Sequence, residues 1–198
     1  DELIIESNGG EIFKIDDFGF ISSQLTNDVI EAGPDAFIDH FLSGDDQITG
    51  TPDQDMLYAG AGNDVVDAGS GDDELVGGTG RGDDTYDGGT GSDTIKYTSA
   101  TAGIRVDLSQ GSASSLTADE ALIEQDQLTN VENVIGGNFD DILTGDAQGN
   151  RFLGGSGADQ LDGDLGIDTA AYTGNQSSHT IELGASSTTV NDRRADGD

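Results

Sequence analysis

A nine-residue register runs through this chain and leaves few folds open to it. Stepping by nine from Phe41 gives FLSGDDQIT (41–49), GTPDQDMLY (50–58), AGAGNDVVD (59–67) and AGSGDDELV (68–76). GGTGRGDDTYD (77–87) carries an extra pair, placed at Gly80–Arg81, and GGTGSDTIK (88–96) closes the block. A second block reads GGNFDDILT (136–144), GDAQGNRFL (145–153), GGSGADQLD (154–162) and GDLGIDTAA (163–171). In the first block the sixth position is always Asp: Asp46, Asp55, Asp64, Asp73, Asp84 and Asp93. The eighth is apolar or aromatic: Ile48, Leu57, Val66, Leu75, Tyr86 and Ile95. The second block has Asp141, Asn150, Asp159 and Asp168 at the sixth position, and Leu143, Phe152, Leu161 and Ala170 at the eighth.

Small residues at positions one, two and four allow a tight turn, because Gly adopts positive φ and lets backbones come close. The last three residues suit a short strand whose central side chain points to one face. One such unit cannot bury that side chain alone, so the units must stack into a solenoid. The turn aims carbonyl oxygens and one Asp carboxylate inward. Calcium, which takes 6–8 oxygens in flexible geometry, suits this donor set. Zinc would want His or Cys.

Charge sharpens this reading. Lys plus Arg is 7 and Asp plus Glu is 40, a formal charge of −33. An acidic, glycine-rich chain is ordinarily disordered, and a compact form repels itself. Asp at a fixed spacing predicts counter-cations, so a chain disordered without calcium and folded with it is expected. Nucleic acid and anionic membranes are poor partners for such a charge. Cysteine is absent and the only histidines are His40 and His179, which removes disulfides, thiolate zinc sites and HExxH chemistry. No apolar run reaches the ~18 residues of a membrane span.

Five segments are expected. Residues 1–40 form an N-terminal β cap, with LIIES (3–7) and EIFKI (11–15) as strands around an SNGG turn, followed by FGFI (18–21), LTNDVI (25–30) and AFIDHF (36–41). Residues 41–96 are the first block. Residues 97–135 are a wider coil with a hairpin or loop: GIRVDL (103–108) as a strand, SQGSASSLTADEAL (109–122) as a polar loop and LTNVENVI (128–135) as strand-like. Residues 136–171 are the second block. Residues 172–198 begin another spacer, since GSDTIKYTSATAGIRVDL (91–108) aligns without gaps on GIDTAAYTGNQSSHTIEL (166–183), and end in a tail. The start at Asp1, the single Met56 and the lack of a signal peptide suggest a piece of a longer protein.

The two blocks resemble the RTX, or hemolysin-type, calcium-binding repeats of bacterial proteins exported by type I secretion. The intervening GIRVDLSQGSA and DQLTNVENVIGGNFDDILTG are similar to spacers between such blocks in large secreted enzymes and adhesins. The resemblance implies an all-β fold, a right-handed parallel β-roll (β-solenoid) with two nonapeptides per coil. It implies carboxylate ligands at Asp46, Asp55, Asp64, Asp73, Asp84, Asp93, Asp141, Asp159 and Asp168. Carbonyl ligands would come from the turns of Gly44, Gly60, Gly62, Gly69, Gly71, Gly78, Gly82, Gly89, Gly91, Gly137, Gly155, Gly157 and Gly166. About six or more calcium ions (Ca2+) follow if each stacked pair of turns holds one. The Gly80–Arg81 insertion, Pro52–Asp53, Phe139 and the degenerate unit 145–153 depart from the pattern, and each is expected to distort or delete a site.

The implied function is a non-enzymatic calcium-binding module of a larger secreted bacterial protein, extracellular or at the cell surface, and monomeric. Such a module passes its export channel unfolded, folds in outside calcium with Kd of about 10⁻⁴–10⁻³ M, and stabilises or displays adjacent domains. One rival is a polysaccharide- or surface-binding module of an adhesin or alginate-epimerase-like enzyme, with Tyr58, Tyr86, Tyr97 and Tyr172 as stacking faces. The other is a lyase on a parallel solenoid, for which only 1–40 and 97–135 have room. Blander readings cover the remaining motifs. Asp45–Asp46, Asp72–Asp73, Asp83–Asp84 and Asp140–Asp141 belong to the repeat rather than to a glycosidase pair. Arg81-Gly82-Asp83 matches a cell-adhesion tripeptide by chance, though in an insertion where it could protrude. His40, His179 and Arg193–Arg194 are ordinary packed or solvated groups.

Overall fold

The computed structural model describes residues 2–6, 12–16, 44–77, 80–117, 125–171, 180–182 and 189–191. Every regular element among them is a β-strand. Glu2–Glu6 (β1) and Ile12–Asp16 (β2) pair antiparallel, with Ile5 opposite Phe13, where the sequence predicts a hairpin. The predicted segments at 18–21, 25–30 and 36–41, together with His40, His179, Tyr172, Gly78 and Arg193–Arg194, lie outside the described residues.

The first block forms one three-residue strand per repeat: Gln47–Thr49 (β3), Met56–Tyr58 (β4), Val65–Asp67 (β5), Glu74–Val76 (β6), Thr85–Asp87 (β7) and Thr94–Lys96 (β8). The spacer holds Ile104–Asp107 (β9), Ser112–Ser115 (β10), Gln125–Thr129 (β11) and Asn133–Ile135 (β12). The second block contributes Ile142–Thr144 (β13), Arg151–Leu153 (β14), Gln160–Asp162 (β15) and Thr169–Ala171 (β16). Thr180–Glu182 (β17) and Thr189–Asn191 (β18) follow.

Alternate strands go to opposite walls of a flattened tube. One wall is an 11-stranded sheet in the order β1-β2-β3-β5-β7-β11-β10-β9-β13-β15-β17, and the other a 7-stranded sheet in the order β18-β16-β14-β12-β8-β6-β4. Repeats pair in parallel with the repeat two before, so Val66 sits between Ile48 and Tyr86, and Leu75 between Leu57 and Ile95. The eighth-position side chains therefore form two facing rows, with successive members of a row one strand spacing apart, ~4.8 Å. Leu75, Tyr86, Ile95, Val134 and Leu143 are fully buried there. Each such side chain is worth about 1.5–3 kcal/mol. The fold is a β-roll.

The spacer departs from the expected excursion in two places. The polar stretch 109–122 contains a strand, β10, which joins β9 and β11 antiparallel within the wall. Its sequence SASS hides this, because Ala113 is the one apolar side chain and it is buried opposite Val106 and Asp126. The run LTNVENVI is also two strands, not one. Asn130 takes a left-handed φ of 51° and turns the chain from one wall to the other. The 7-stranded wall passes this level in a single step, from β8 to β12, while the opposite wall gains three strands.

Candidate metal centre

The roll follows from the eighth position; the candidate site follows from the sixth. Six sixth-position side chains lean back toward the turn two repeats earlier and accept that turn's sixth-position N–H. Asp64 Oδ1 accepts from Asp46 N–H at 2.8 Å and Asp73 Oδ1 from Asp55 N–H at 2.8 Å. Asp84 takes Asp64 N–H at 3.0 Å, and Asp93 takes Asp73 N–H at 2.8 Å. In the second block Asp159 takes Asp141 N–H at 3.1 Å and Asp168 takes Asn150 N–H at 2.9 Å. These aspartates are buried: Asp64, Asp73, Asp84, Asp93, Asp141, Asp159 and Asp168 all lie within the wall of the tube.

Sequence reasoning missed two members of this ladder. Asp126 Oδ1 accepts Asp84 N–H at 3.2 Å, and Glu132 Oε2 accepts Asp93 N–H at 2.9 Å. Both belong to the spacer. A signal was present, since Asp126-Gln127-Leu128 and Glu132-Asn133-Val134 repeat the acid-x-apolar spacing without the glycines. The ladder then resumes where Asp141 Oδ1 accepts Ile104 N–H at 2.9 Å.

The paired acids divide their labour. The fifth-position partner is exposed and reaches forward instead, as Asp45 does to Asn63 N–H at 2.8 Å, Asp72 to Ser92 N–H at 2.9 Å and Asp140 to Ala158 N–H at 2.7 Å. Arg81-Gly82-Asp83 is woven into the same ladder rather than protruding. Gly62 N–H donates to the Arg81 carbonyl at 2.9 Å and Asp83 N–H to Asn63 Oδ1 at 2.9 Å.

The second carboxylate oxygen is where the turns differ. Oδ2 of Asp46, Asp64, Asp73, Asp93 and Asp168 is buried with no hydrogen-bond partner. A buried ionised oxygen without a partner is costly. Burial, and then neighbouring Asp84, Asp46 and Asp45 against the helpful Asp46 N–H, pushes the Asp64 carboxyl up to about 7. Burial likewise lifts Asp93 to about 6, and it raises Asp46 and Asp73. These groups are poised for a cation or a proton.

Glycine shapes the cradle. Gly62 and Gly91 take φ of 130° and 150°, and a Cβ on either would collide with the carbonyl of Gly44 or Gly71 in the stacked turn. Gly60, Gly69, Gly71, Gly89, Gly155, Gly157 and Gly166 share the left-handed backbone; Gly44, Gly82 and Gly137 do not. Turn carbonyls of successive coils are thereby brought close together. Among the described residues no three Asp, Glu or His side chains gather as a cage. Any cation held here takes much of its shell from these carbonyls, which is calcium's preference and not zinc's.

Residues 42–75, 79–95 and 135–170 match the RTX calcium-binding nonapeptide repeat family, in four copies. These are RTX calcium-binding repeats. No curated protein matches the chain. The RTX register also accounts for the departures. The Gly80–Arg81 insertion stretches two spacings, Asp64–Asp84 and Asp73–Asp93, from 18 to 20 residues without breaking the ladder. Asn150 fills the degenerate unit's sixth place: its N–H still donates to Asp168, while its amide accepts Asp146 N–H at 2.9 Å and donates to the Glu132 carbonyl at 3.1 Å. Tyr86 and Tyr97 are fully buried and offer no face to a sugar.

Proposed function

We propose that this RTX roll is a module of a larger secreted bacterial protein, folding on calcium outside the cell to support export and to stabilise or display its neighbours. The observation that carries the reading is the row of buried, unpartnered Oδ2 atoms at Asp46, Asp64, Asp73, Asp93 and Asp168 in a chain of charge −33. Without a cation such a row opposes folding. With calcium between stacked turns, binding free energy becomes folding free energy. The ligands are these carboxylates and Asp159, with carbonyls of the glycine turns beside them. The β1–β2 hairpin, added beyond β3, serves as the end cap. Far-UV circular dichroism during a calcium titration after EDTA treatment, with magnesium as control, tests this. Cooperative β signal with calcium alone is expected; a fully folded chain in EDTA would contradict it.

A further inference from the structure

The sixth-position side chains form two groups according to what holds their second polar atom. Asp46, Asp64, Asp73, Asp93 and Asp168 leave Oδ2 open. Elsewhere the chain closes it. Thr51 N–H donates to Asp55 Oδ2 at 2.5 Å, Gly137 N–H to Asp141 Oδ2 at 2.8 Å, and Asp146 N–H to Asn150 Oδ1 at 2.9 Å. All three donors are second-position residues of the same unit. Two further carboxylates are closed by phenols. Tyr86 hydroxyl donates to Asp84 Oδ2 at 3.1 Å, and Tyr97 hydroxyl to Asp126 Oδ2 at 2.9 Å.

Backbone conformation at position two separates open turns from self-closed ones. Gly60, Gly69, Gly89 and Asp164 are left-handed, with φ of 93°, 96°, 84° and 58°, and their turns hold the open Asp64, Asp73, Asp93 and Asp168. That conformation swings the N–H outward. Gly89 N–H goes to Asp87 Oδ1 at 3.0 Å and Asp164 N–H to Asp162 Oδ1 at 3.2 Å. Thr51, Gly137 and Asp146 lie outside the left-handed region, and their N–H groups point inward at the side chain.

All the closed positions but Asp55, which precedes the edge strand β4, gather at mid-length. Asp84, Asp126 and Asp141 precede or lie in β7, β11 and β13 of one wall, and Asn150 precedes β14 of the other. We propose that Asp84, Asp126, Asp141 and Asn150 form a waist that satisfies its own buried polar groups without calcium, and that calcium binds on its flanks. One flank carries Asp46, Asp64, Asp73 and Asp93, and the other carries Asp168. The inference rests on the calcium-binding reading and narrows the ligand set that the resemblance implied, because Asp84 and Asp141 leave it; the self-closed Asp55 leaves it too.

Equilibrium dialysis of the full chain, with calcium as the only probe, tests the division. Asp64→Asn and Asp93→Asn are each expected to lower the bound calcium by at least one ion per chain. Asp84→Asn keeps the wild-type count, since the amide accepts Asp64 N–H and the Tyr86 hydroxyl can reverse its bond. A loss at Asp84→Asn equal to that at Asp64→Asn overturns the waist while leaving calcium binding intact. If the unmutated chain binds no calcium, both readings fall together. Hydrogen exchange of the unmutated chain in EDTA gives a second readout that needs no variant. Protection is expected at the amides of Asp84, Ile104 and Gln127, with free exchange at those of Asp46 and Val65; uniform exchange overturns the proposal.

Discussion

In the coils of 59–76, Asp64 and Asp73 reach back to the preceding turn with Oδ1 and leave Oδ2 buried and unpartnered. In the coil of 97–135, Asp126 reaches back to Asp84 in the same way, but its Oδ2 takes the Tyr97 hydroxyl. Both are buried carboxylates beside a row of eighth-position side chains. The difference lies in the source of compensation. A nine-residue unit whose second residue is left-handed turns its own N–H away, so this oxygen stays open. The longer spacer has room to bring a phenol across the core. A solenoid can thus satisfy one ladder by two chemistries and keep its register through both.

The largest expected effect is on the cation-free chain as pH changes. Burial, then the charge of Asp84, lifts Asp126 to about 7, as burial does Asp64, and burial lifts Asp141 to about 6, like Asp93. All four have folded pKa values above the unfolded 3.8, so the folded chain binds more protons. Their contribution to folding is fully present below the unfolded value and is lost as pH rises through 6 to 7. Acidifying the chain in EDTA from about pH 8 to 5 should therefore raise β signal in circular dichroism; loss of signal over that range would contradict it.

Next comes the spacer carboxylate. Asp126→Ala strands two buried donors, Asp84 N–H and Tyr97 hydroxyl, and should cost roughly 2–5 kcal/mol in urea unfolding at saturating calcium. Gly91→Ala probes the block by comparison. Its φ of 150° and its closeness to the Gly71 carbonyl predict a loss of roughly 1–3 kcal/mol and a higher calcium midpoint. Tyr97→Phe removes only the phenol and leaves Asp126 Oδ2 bare, for about 1–3 kcal/mol in thermal unfolding. The smallest effect belongs to Gly44→Ala. A Cβ there meets nothing within 4 Å among the described residues, and a change within about 0.5 kcal/mol is expected in the same unfolding assay.

The stacking of the repeats and the burial of their aspartates were legible because both follow from short-range rules. A strand alternates with period two, so Asp at position six and an apolar residue at position eight face the same interior. Glycine at positions two and four announces a turn that other residues resist. The spacer was legible only in part. Ser112–Ser115 has no apolar alternation to display, and its strand exists because β9 and β11 flank it with unpaired backbone groups. Asp126 and Glu132 carried the right spacing but not the glycines, so the turn signal that marks the other members was missing.

By itself, the sequence determined that this chain stacks nine-residue units and sets an Asp, or in one unit Asn150, beside each stacked apolar side chain. Only the tertiary structure decided which acids remain open. That choice rests on the direction of a single N–H in each turn and on partners far along the chain, such as Tyr97 and Asp126, which are 29 residues apart. A nine-residue pattern carries no record of either. Hydrogen bonding is directional over about 3 Å, so the answer appears only when the coils are set against one another.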